Sequence, residues 1–142
     1  MIRTAINGNP STLPQTVITP SSPAAGANLS YTILTGTGWV LESMTCQLVT
    51  SATVANRLLR FRVKRGSNIL GYWALGAVTA ASQTLNAQFG KAHISNTVSS
   101  TSSTAALPTL PPLQTGDVIE SFILNIDTTD ALTAIVLLFS QQ

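Results

Sequence analysis

Residues 59–75 read Leu-Arg-Phe-Arg-Val-Lys-Arg-Gly-Ser-Asn-Ile-Leu-Gly-Tyr-Trp-Ala-Leu, and this stretch decides the fold. Apolar residues at positions 59, 61 and 63 alternate with basic residues at 60, 62 and 64, which is the period of a half-buried strand. Arg65, Gly66, Ser67 and Asn68 have the composition of a tight turn. The apolar residues that follow predict the returning strand. The sequence therefore predicts a β-hairpin with one buried and one basic face.

Strand-like stretches also occur on both sides of this hairpin. They are rich in Val, Ile, Leu, Thr and aromatic residues and are separated by turn residues, and they cover residues 29–34, 39–50, 79–89, 91–98, 118–126 and 132–139. Residues 107–113 contain three prolines and are typical of an edge or a connection. No stretch has a convincing helical pattern. About eight strands predict an all-β protein, an antiparallel β-sandwich or jelly roll.

Two strands carry patterns that predict their surroundings. In the strand at 39–50, Val40, Met44, Cys46 and Leu48 share one face at period two, with Glu42 as a charged intruder. Residues 136–139 are apolar on both faces, which indicates a strand inside the sandwich or at a subunit interface.

The first 28 residues differ from the rest. Pro10, Pro14, Pro20 and Pro23 lie among Asn, Ser, Thr, Gly and Ala, and proline disfavours both helix interiors and central strands. This composition predicts an extended arm over residues 1–28 and a single sandwich domain over residues 29–142. The arm either lies across a neighbouring subunit and pairs with a sheet edge, or is a loose tail.

The composition predicts self-association. Charged residues make up 8% of the chain and hydrophobic residues 44%, against a typical charged share of about 25%. We expect partner chains to cover part of the surface in a homo-oligomer, with a trimer favoured; a Thr-rich sandwich standing alone is the alternative. The apolar run at 131–139 is far shorter than the roughly 20 residues of a membrane span. With no signal peptide either, we expect synthesis in a cytoplasm and no membrane partner.

The residues that usually carry chemistry are sparse. His93 is the only histidine and Cys46 the only cysteine, so one chain offers no multi-histidine metal site and no internal disulfide. Asp117, Asp127 and Asp130 lie in turn sequences, where aspartate is favoured for local hydrogen bonds. Phosphate-binding loops and nucleophile elbows are absent. We expect a non-enzymatic protein without metal or cofactor.

Positive charge is concentrated in one place. Five of the seven basic residues fall within nine positions, namely Arg57, Arg60, Arg62, Lys64 and Arg65. This cluster predicts an electrostatic docking stripe for an acidic partner surface; the alternative is a solvated strand face that resists edge pairing. Nucleic acid is a less favoured partner, since the net charge is only +2 and no exposed aromatic residue is expected between the basic ones.

Three further runs resemble small virion proteins of tailed bacteriophages. They are Val-Leu-Glu-Ser-Met-Thr-Cys-Gln-Leu-Val-Thr-Ser-Ala-Thr-Val-Ala-Asn-Arg at 40–57, Leu-Pro-Pro-Leu-Gln-Thr-Gly-Asp-Val-Ile-Glu-Ser-Phe at 110–122 and Asn-Ile-Asp-Thr-Thr-Asp at 125–130. The resemblance covers about the last hundred residues and implies a β-sandwich that decorates or cements a capsid or sits elsewhere in the particle. It supplies no catalytic residues.

These observations favour a structural protein of a phage particle that binds major capsid or other virion proteins. The partner-binding residues would be the five basic residues together with Pro10, Pro14 and Pro20 of the arm. A tail or head–tail connector component is an alternative. A lectin-like carbohydrate-binding module is another, with Trp39, Tyr72 and Trp73 as candidate sugar platforms.

Overall fold

A computed structural model describes residues 14–91, 93, 96–99 and 101–142, and these residues contain ten strands and no helix. Within them there is no helix that could span a membrane. The strands are β1 (Gln15–Ile18), β2 (Ser30–Thr32), β3 (Trp39–Val49), β4 (Arg60–Arg65), β5 (Asn68–Ala74), β6 (Thr84–Gly90), β7 (Asn96–Ser99), β8 (Ser102–Ala106), β9 (Val118–Ser121) and β10 (Ala131–Gln141).

The strands form two sheets that pack into a sandwich. The six-stranded sheet has the order β1-β10-β3-β6-β8-β7 and the four-stranded sheet has the order β2-β9-β4-β5. The chain is paired like one long hairpin: β4 pairs with β5, β3 with β6, β2 with β9 and β1 with β10. The predicted all-β fold and two-layer architecture are confirmed.

The hairpin of β4 and β5 forms as its alternation predicts. A two-residue turn joins the strands, and its Gly66 has φ +60, a conformation that glycine adopts without steric cost. Phe61 and Val63 are fully buried, and the Phe61 ring stacks on Trp73 with 5.9 Å between ring centroids. The odd positions of β4 therefore face the core and the even positions face outward.

The core lies between the two sheets. It consists of apolar side chains from nearly every strand, and the largest fully buried ones include Phe61, Phe89, Phe139, Met44, Leu48, Leu113, Ile119 and Leu137. Burial of apolar side chains contributes roughly 25 cal/mol per Å². This shared core holds the basic strand rigidly against the six-stranded sheet.

The sequence predicted no strand where β8 occurs. It lies in a Ser/Thr-rich stretch between the strand predicted at 91–98 and the proline-containing stretch 107–113, and it pairs parallel to β6. The fold is therefore not purely antiparallel. β8 also pairs with β7, so hydroxyl-bearing residues extend the six-stranded sheet at one edge.

The predicted inward face of β3 is partly wrong because a bulge interrupts the strand. Leu138 pairs with Ser43 but Phe139 pairs with Leu41, so Glu42 is the extra residue. Leu41 therefore points into the core in place of Val40. Glu42 turns outward, where its carboxylate accepts from Ser140 and lies 3.0 Å from Lys91 Nζ.

Part of the predicted arm of residues 1–28 is paired with the sandwich. β1 lies inside the predicted arm, yet it pairs with β10 of its own chain, and the amide of Gln141 donates to the carbonyl of Pro14. Asn28 accepts hydrogen bonds from Ser121 and from the Ile123 amide. The described part of the arm is therefore tied to the sandwich. Residues 1–13 of the predicted arm, including Pro10, lie outside the described residues.

Candidate functional site

The outward surface of the four-stranded sheet carries most of the predicted docking residues. Arg60, Arg62 and Lys64 occupy the even positions of β4 and point away from the core. Neighbouring side chains on the same surface come from β9 and β5. We call this surface the basic face and define it by Arg60, Arg62, Lys64, Ile69, Tyr72, Glu120 and Phe122.

One carboxylate lies within the basic face. Glu120 on β9 is paired in register with Arg62, and its Oε1 lies 2.5 Å from Arg62 Nε and 3.0 Å from Lys64 Nζ. Burial would raise the pKa of Glu120, but the hydrogen bonds from Lys64 and Arg62 outweigh it and lower the pKa. Glu120 therefore stays ionised and fixes both cations, yet it neutralises only one of them.

Arg60 has a different partner. Its Nε donates to the carbonyl of Phe122 at 3.0 Å, and its guanidinium lies 4.5 Å from the centroid of the Phe122 ring. The Arg62 guanidinium lies 4.9 Å from the same centroid. Cation–π contact of this kind stabilises an arginine over an aromatic face. Arg60 has no carboxylate partner among the described residues, and its charge is uncompensated.

The basic face also exposes apolar side chains. Tyr72 is 69% exposed and Ile69 is 52% exposed, and both lie on β5 beside the arginine row. The expectation that no exposed aromatic residue lies among the basic ones was wrong, because strand pairing brings Tyr72 opposite Arg62. The face combines positive charge with apolar contact area.

Arg65 lies at the hairpin end of this surface. Its Nη2 lies 2.8 Å from Oδ2 of Asp117, whose carboxylate also accepts from the Gln114 amide. The hydrogen bond from Arg65 lowers the pKa of Asp117. This confirms the turn role predicted for Asp117, and it makes Arg65 part of a neutral pair.

Arg57 does not belong to an exposed stripe, contrary to its grouping with the other basic residues. It is fully buried and paired with buried Asp130, with 2.9 Å between Nε and Oδ2. Nη2 also donates to Asp130 Oδ1, and the other N–H groups of Arg57 donate to Ser51 Oγ and to the carbonyls of Thr53 and Ala55. Its role in the structure is to join a loop to a turn.

The prolines assigned to partner binding have local surroundings in the same chain. Pro14 precedes β1 and is half-buried, and Pro20 follows β1 and is half-buried too. Neither lies near the basic face in the sheet order, since β1 is at the edge of the opposite sheet.

Groups that carry catalysis do not converge among the described residues. No cluster of three or more His, Cys, Asp or Glu side chains there could hold a metal ion. Cys46 is buried, and this burial raises the pKa of its thiol to about 12, which keeps it protonated at neutral pH. His93 is exposed and its ring lies over Gly90.

The three candidate sugar platforms differ in how far their side chains are exposed. Trp73 is 4% exposed and belongs to the core, so it offers no platform. Trp39 is half-buried and its Nε1 donates to the Thr35 carbonyl at 2.8 Å. Tyr72 alone of the three is exposed.

A concave surface lies between β1 and β2, at the edge of the sandwich opposite to β5. It is an open, mainly apolar cleft of about 310 Å³ lined by Thr16, Ile18, Tyr31, Ile33, Leu34, Thr35, Trp39 and Phe139. Burial raises the pKa of Tyr31, so the phenol stays neutral.

Sequence reasoning missed Phe122 and Ile69 as members of the basic face. Phe122 follows Glu120 at spacing two, which places both on one face of a strand, but the sequence does not reveal that this strand lies beside β4. Ile69 faces outward because β5 has a bulge opposite Val63 and Lys64. Neither signal is local to the basic strand.

Comparison of the chain with protein-family models gives no match, and comparison with curated proteins gives none either.

Proposed function

We propose that this chain is a non-enzymatic structural protein of a phage-like particle, which docks through its basic face onto an acidic surface of a capsid or other virion protein. The observation that carries the proposal is the composition of that face. Arg60, Arg62 and Lys64 supply three positive charges and Glu120 one negative charge. The difference, three minus one, equals the formal net charge of +2 of the whole chain.

Such a face suits protein docking for two physical reasons. Excess positive charge steers an acidic partner and fixes its orientation. The exposed side chains of Tyr72 and Ile69 supply apolar area beside the charges, and tyrosine and arginine are enriched in the well-packed centres of interfaces. A solvated face that only resists edge pairing would not need the apolar residues.

We further propose that eight of the strands form a jelly roll and that β7 and β8 are an insertion. Without these two, the sheets have the orders β1-β10-β3-β6 and β2-β9-β4-β5. This nested pairing is the arrangement expected when one long hairpin rolls into two sheets. Jelly rolls of eight strands occur in viral capsid and lectin domains, and this fold-level analogy supports a virion role.

Self-association is part of the proposal. The six strands of the larger sheet contain one charged residue, Glu42, which is paired with Lys91. A surface with so little charge favours burial against further copies of the same chain in a symmetric oligomer. The basic face then remains available for the particle.

The experiment is to look for the chain in virus particles. Antibodies against the recombinant protein should label particles purified from the source sample, and mass spectrometry should find the chain at a fixed copy number. Label over the whole head supports decoration, and label at one vertex or along the tail supports a connector or tail station. Particles that lack the chain would overturn the proposal.

Docking through the basic face has its own test with matched charge reversals. The Lys64→Glu variant should bind at least tenfold more weakly to particles from which the native chain has been removed, because the substitution places a second carboxylate beside Glu120. Lys91→Glu is the control, since Lys91 is a basic residue on another part of the surface and its side chain is 49% exposed. Equal binding of the two variants would argue against this face.

A further inference from the structure

The free edge of β5 is the least protected sheet edge in the described part of the chain. The four edge strands are β1, β2, β5 and β7. β1, β2 and β7 have four, three and four residues, whereas β5 has seven. β5 contains no proline and no charged residue. Proteins usually protect such edges with charge, proline or short length.

Main-chain groups on this edge are free to bind a further strand. The Leu75 amide donates to the Leu59 carbonyl, so alternation along the ladder places the N–H and C=O of Trp73 toward β4. The same alternation turns those of Tyr72 and Ala74 away from β4. On β4, Arg60 accordingly accepts from Phe122 of β9. No described residue pairs with the outer edge of β5.

The core-facing side of β5 is already in contact with another segment of the same chain. A Cβ built on Gly71 would lie 2.4 Å from Leu110 Cδ2 and 3.6 Å from Pro108 Cγ. The segment that carries these two residues therefore fills the core beneath the edge. An added strand would continue the sheet, with one side toward this segment and the other side on the basic face.

The neighbouring charges indicate what kind of strand fits. An added strand would lie about 4.8 Å from β5 and about 10 Å from β4. Its outward side chains would contact Tyr72 and Ile69 directly, and the long side chains of the β4 arginines and lysine can reach acidic groups across this gap. The face carries two uncompensated positive charges, as counted above from Arg60, Arg62, Lys64 and Glu120.

We propose that the β5 edge takes up an extended acidic segment of the virion partner as an additional antiparallel or parallel strand. Main-chain hydrogen bonds to Tyr72 and Ala74 would provide affinity. Alternating acidic residues of the segment would provide specificity through Arg60, Arg62 and Lys64. Because this proposal rests on the docking function proposed above, it is tested without particles, so that each can fail separately.

The probe is a twelve-residue peptide of alternating Glu and Val, and the readout is its binding together with hydrogen exchange of single amides. Strand addition should slow exchange of the Tyr72 and Ala74 amides, which have no partner among the described residues of the free protein. A peptide of alternating Lys and Val should bind at least tenfold more weakly. Exchange at these two amides that does not change when the acidic peptide binds would overturn the proposal.

A matched pair of variants isolates the main-chain contact. Ala74→Pro removes an outward N–H and leaves the ladder to β4 intact, so it should lower the affinity of the acidic peptide at least tenfold. Ala74→Val keeps the N–H and should bind as the parent does. An acidic peptide N-methylated at alternate residues should also fail to bind, which tests the contact with no change to the protein.

Two other occupants give distinct results, and either one overturns the acidic strand. If a second copy occupies the edge, light scattering shows a dimer whose Tyr72 and Ala74 amides are protected without peptide, and Ala74→Pro makes it monomeric. If the face binds nucleic acid, a fifteen-residue oligothymidylate binds more tightly than the acidic peptide, and Ala74→Pro does not change its affinity.

Discussion

The guanidinium of Arg57 and the carboxylate of Asp130 form a two-pronged ion pair in which both side chains are completely buried. Nε lies 2.9 Å from Oδ2 and Nη2 lies 3.1 Å from Oδ1. Asp130 also accepts from the amides of Ser51 and Asp127. The pair joins the loop after β3 to the turn before β10, which are more than seventy residues apart in the chain.

Replacing one partner of this pair should be costly. Arg57→Met leaves the Asp130 carboxylate buried without its cation, and we expect a loss of about 3–5 kcal/mol in the free energy of unfolding. Lys91→Met is the control, because the pair with Glu42 is exposed and is worth at most about 1 kcal/mol. Urea denaturation measures both, and similar midpoints would contradict the assignment.

Acid should destabilise the fold. The pKa of Asp117 is lowered by the hydrogen bond from Arg65, and that of Asp130 is lowered because Arg57 and two amides outweigh the effect of burial. Each of these carboxyl groups has a lower pKa in the folded protein than its ordinary value of 3.8, so it stabilises the fold at pH values above 3.8. This contribution is lost as the pH falls from 3.8 through the lowered pKa.

Urea midpoints measured from pH 7 down to pH 2.5 should therefore fall steeply below about pH 4. Asp117→Asn lacks one of these titrating groups, so it should be less stable at pH 7 and approach the parent at the acid end. Parallel curves for parent and variant would show that Asp117 does not contribute to the acid transition.

Two proline substitutions test how β1 is attached. Because the Gln141 amide donates to Pro14, the alternation places the Thr16 N–H toward β10 and the Val17 N–H outward. Thr16→Pro should thus lower stability by about 1–3 kcal/mol, through the lost ladder hydrogen bond. Val17→Pro keeps the ladder hydrogen bonds and should change the stability little. Equal midpoints in urea would mean that β1 does not pair with β10 in solution.

Two glycines with positive φ make another matched pair. Gly26 has φ +75 and a Cβ there would lie 2.7 Å from the Thr128 Cα, whereas Gly66 has φ +60 with nothing within 4 Å. Gly66→Ala should cost about 1–2 kcal/mol for the left-handed backbone alone. Gly26→Ala should cost at least about 1 kcal/mol more, since the clash is with backbone. Thermal and urea unfolding compare the two variants, and equal losses would contradict the close approach.

Local patterns predicted the parts of the fold that depend on neighbours in sequence. The alternation at 59–64 predicted β4 and its outward basic residues. The turn aspartates were also predictable: Asp127 accepts from Thr129 and Asp117 from Gln114. In each case the partner lies within a few residues.

The remaining features depend on partners distant in sequence. No residue near Arg57 in the sequence indicates that its side chain will be buried and paired with Asp130. On sequence alone, Arg57 is therefore grouped with the exposed basic residues. β8 has no apolar alternation, since Ser, Thr and Ala supply both of its faces. The bulge at Glu42 changes which residues of β3 face inward before Ser43, and it is defined only by pairing with β10. The same holds for the basic face, whose aromatic members come from other strands.

The nested pairing has a consequence for biosynthesis. The tip of the long hairpin, at Gly66 and Ser67, leaves the ribosome before β6, β9 and β10, and β4 and β5 can pair as soon as both have emerged. Each later pair then closes a loop already shortened by the one before it. β1 precedes β10 in the chain by more than a hundred residues, so it has to wait for its partner. The protein therefore cannot finish folding until β10 has been made, and until then β1 remains available to whatever else offers it a strand.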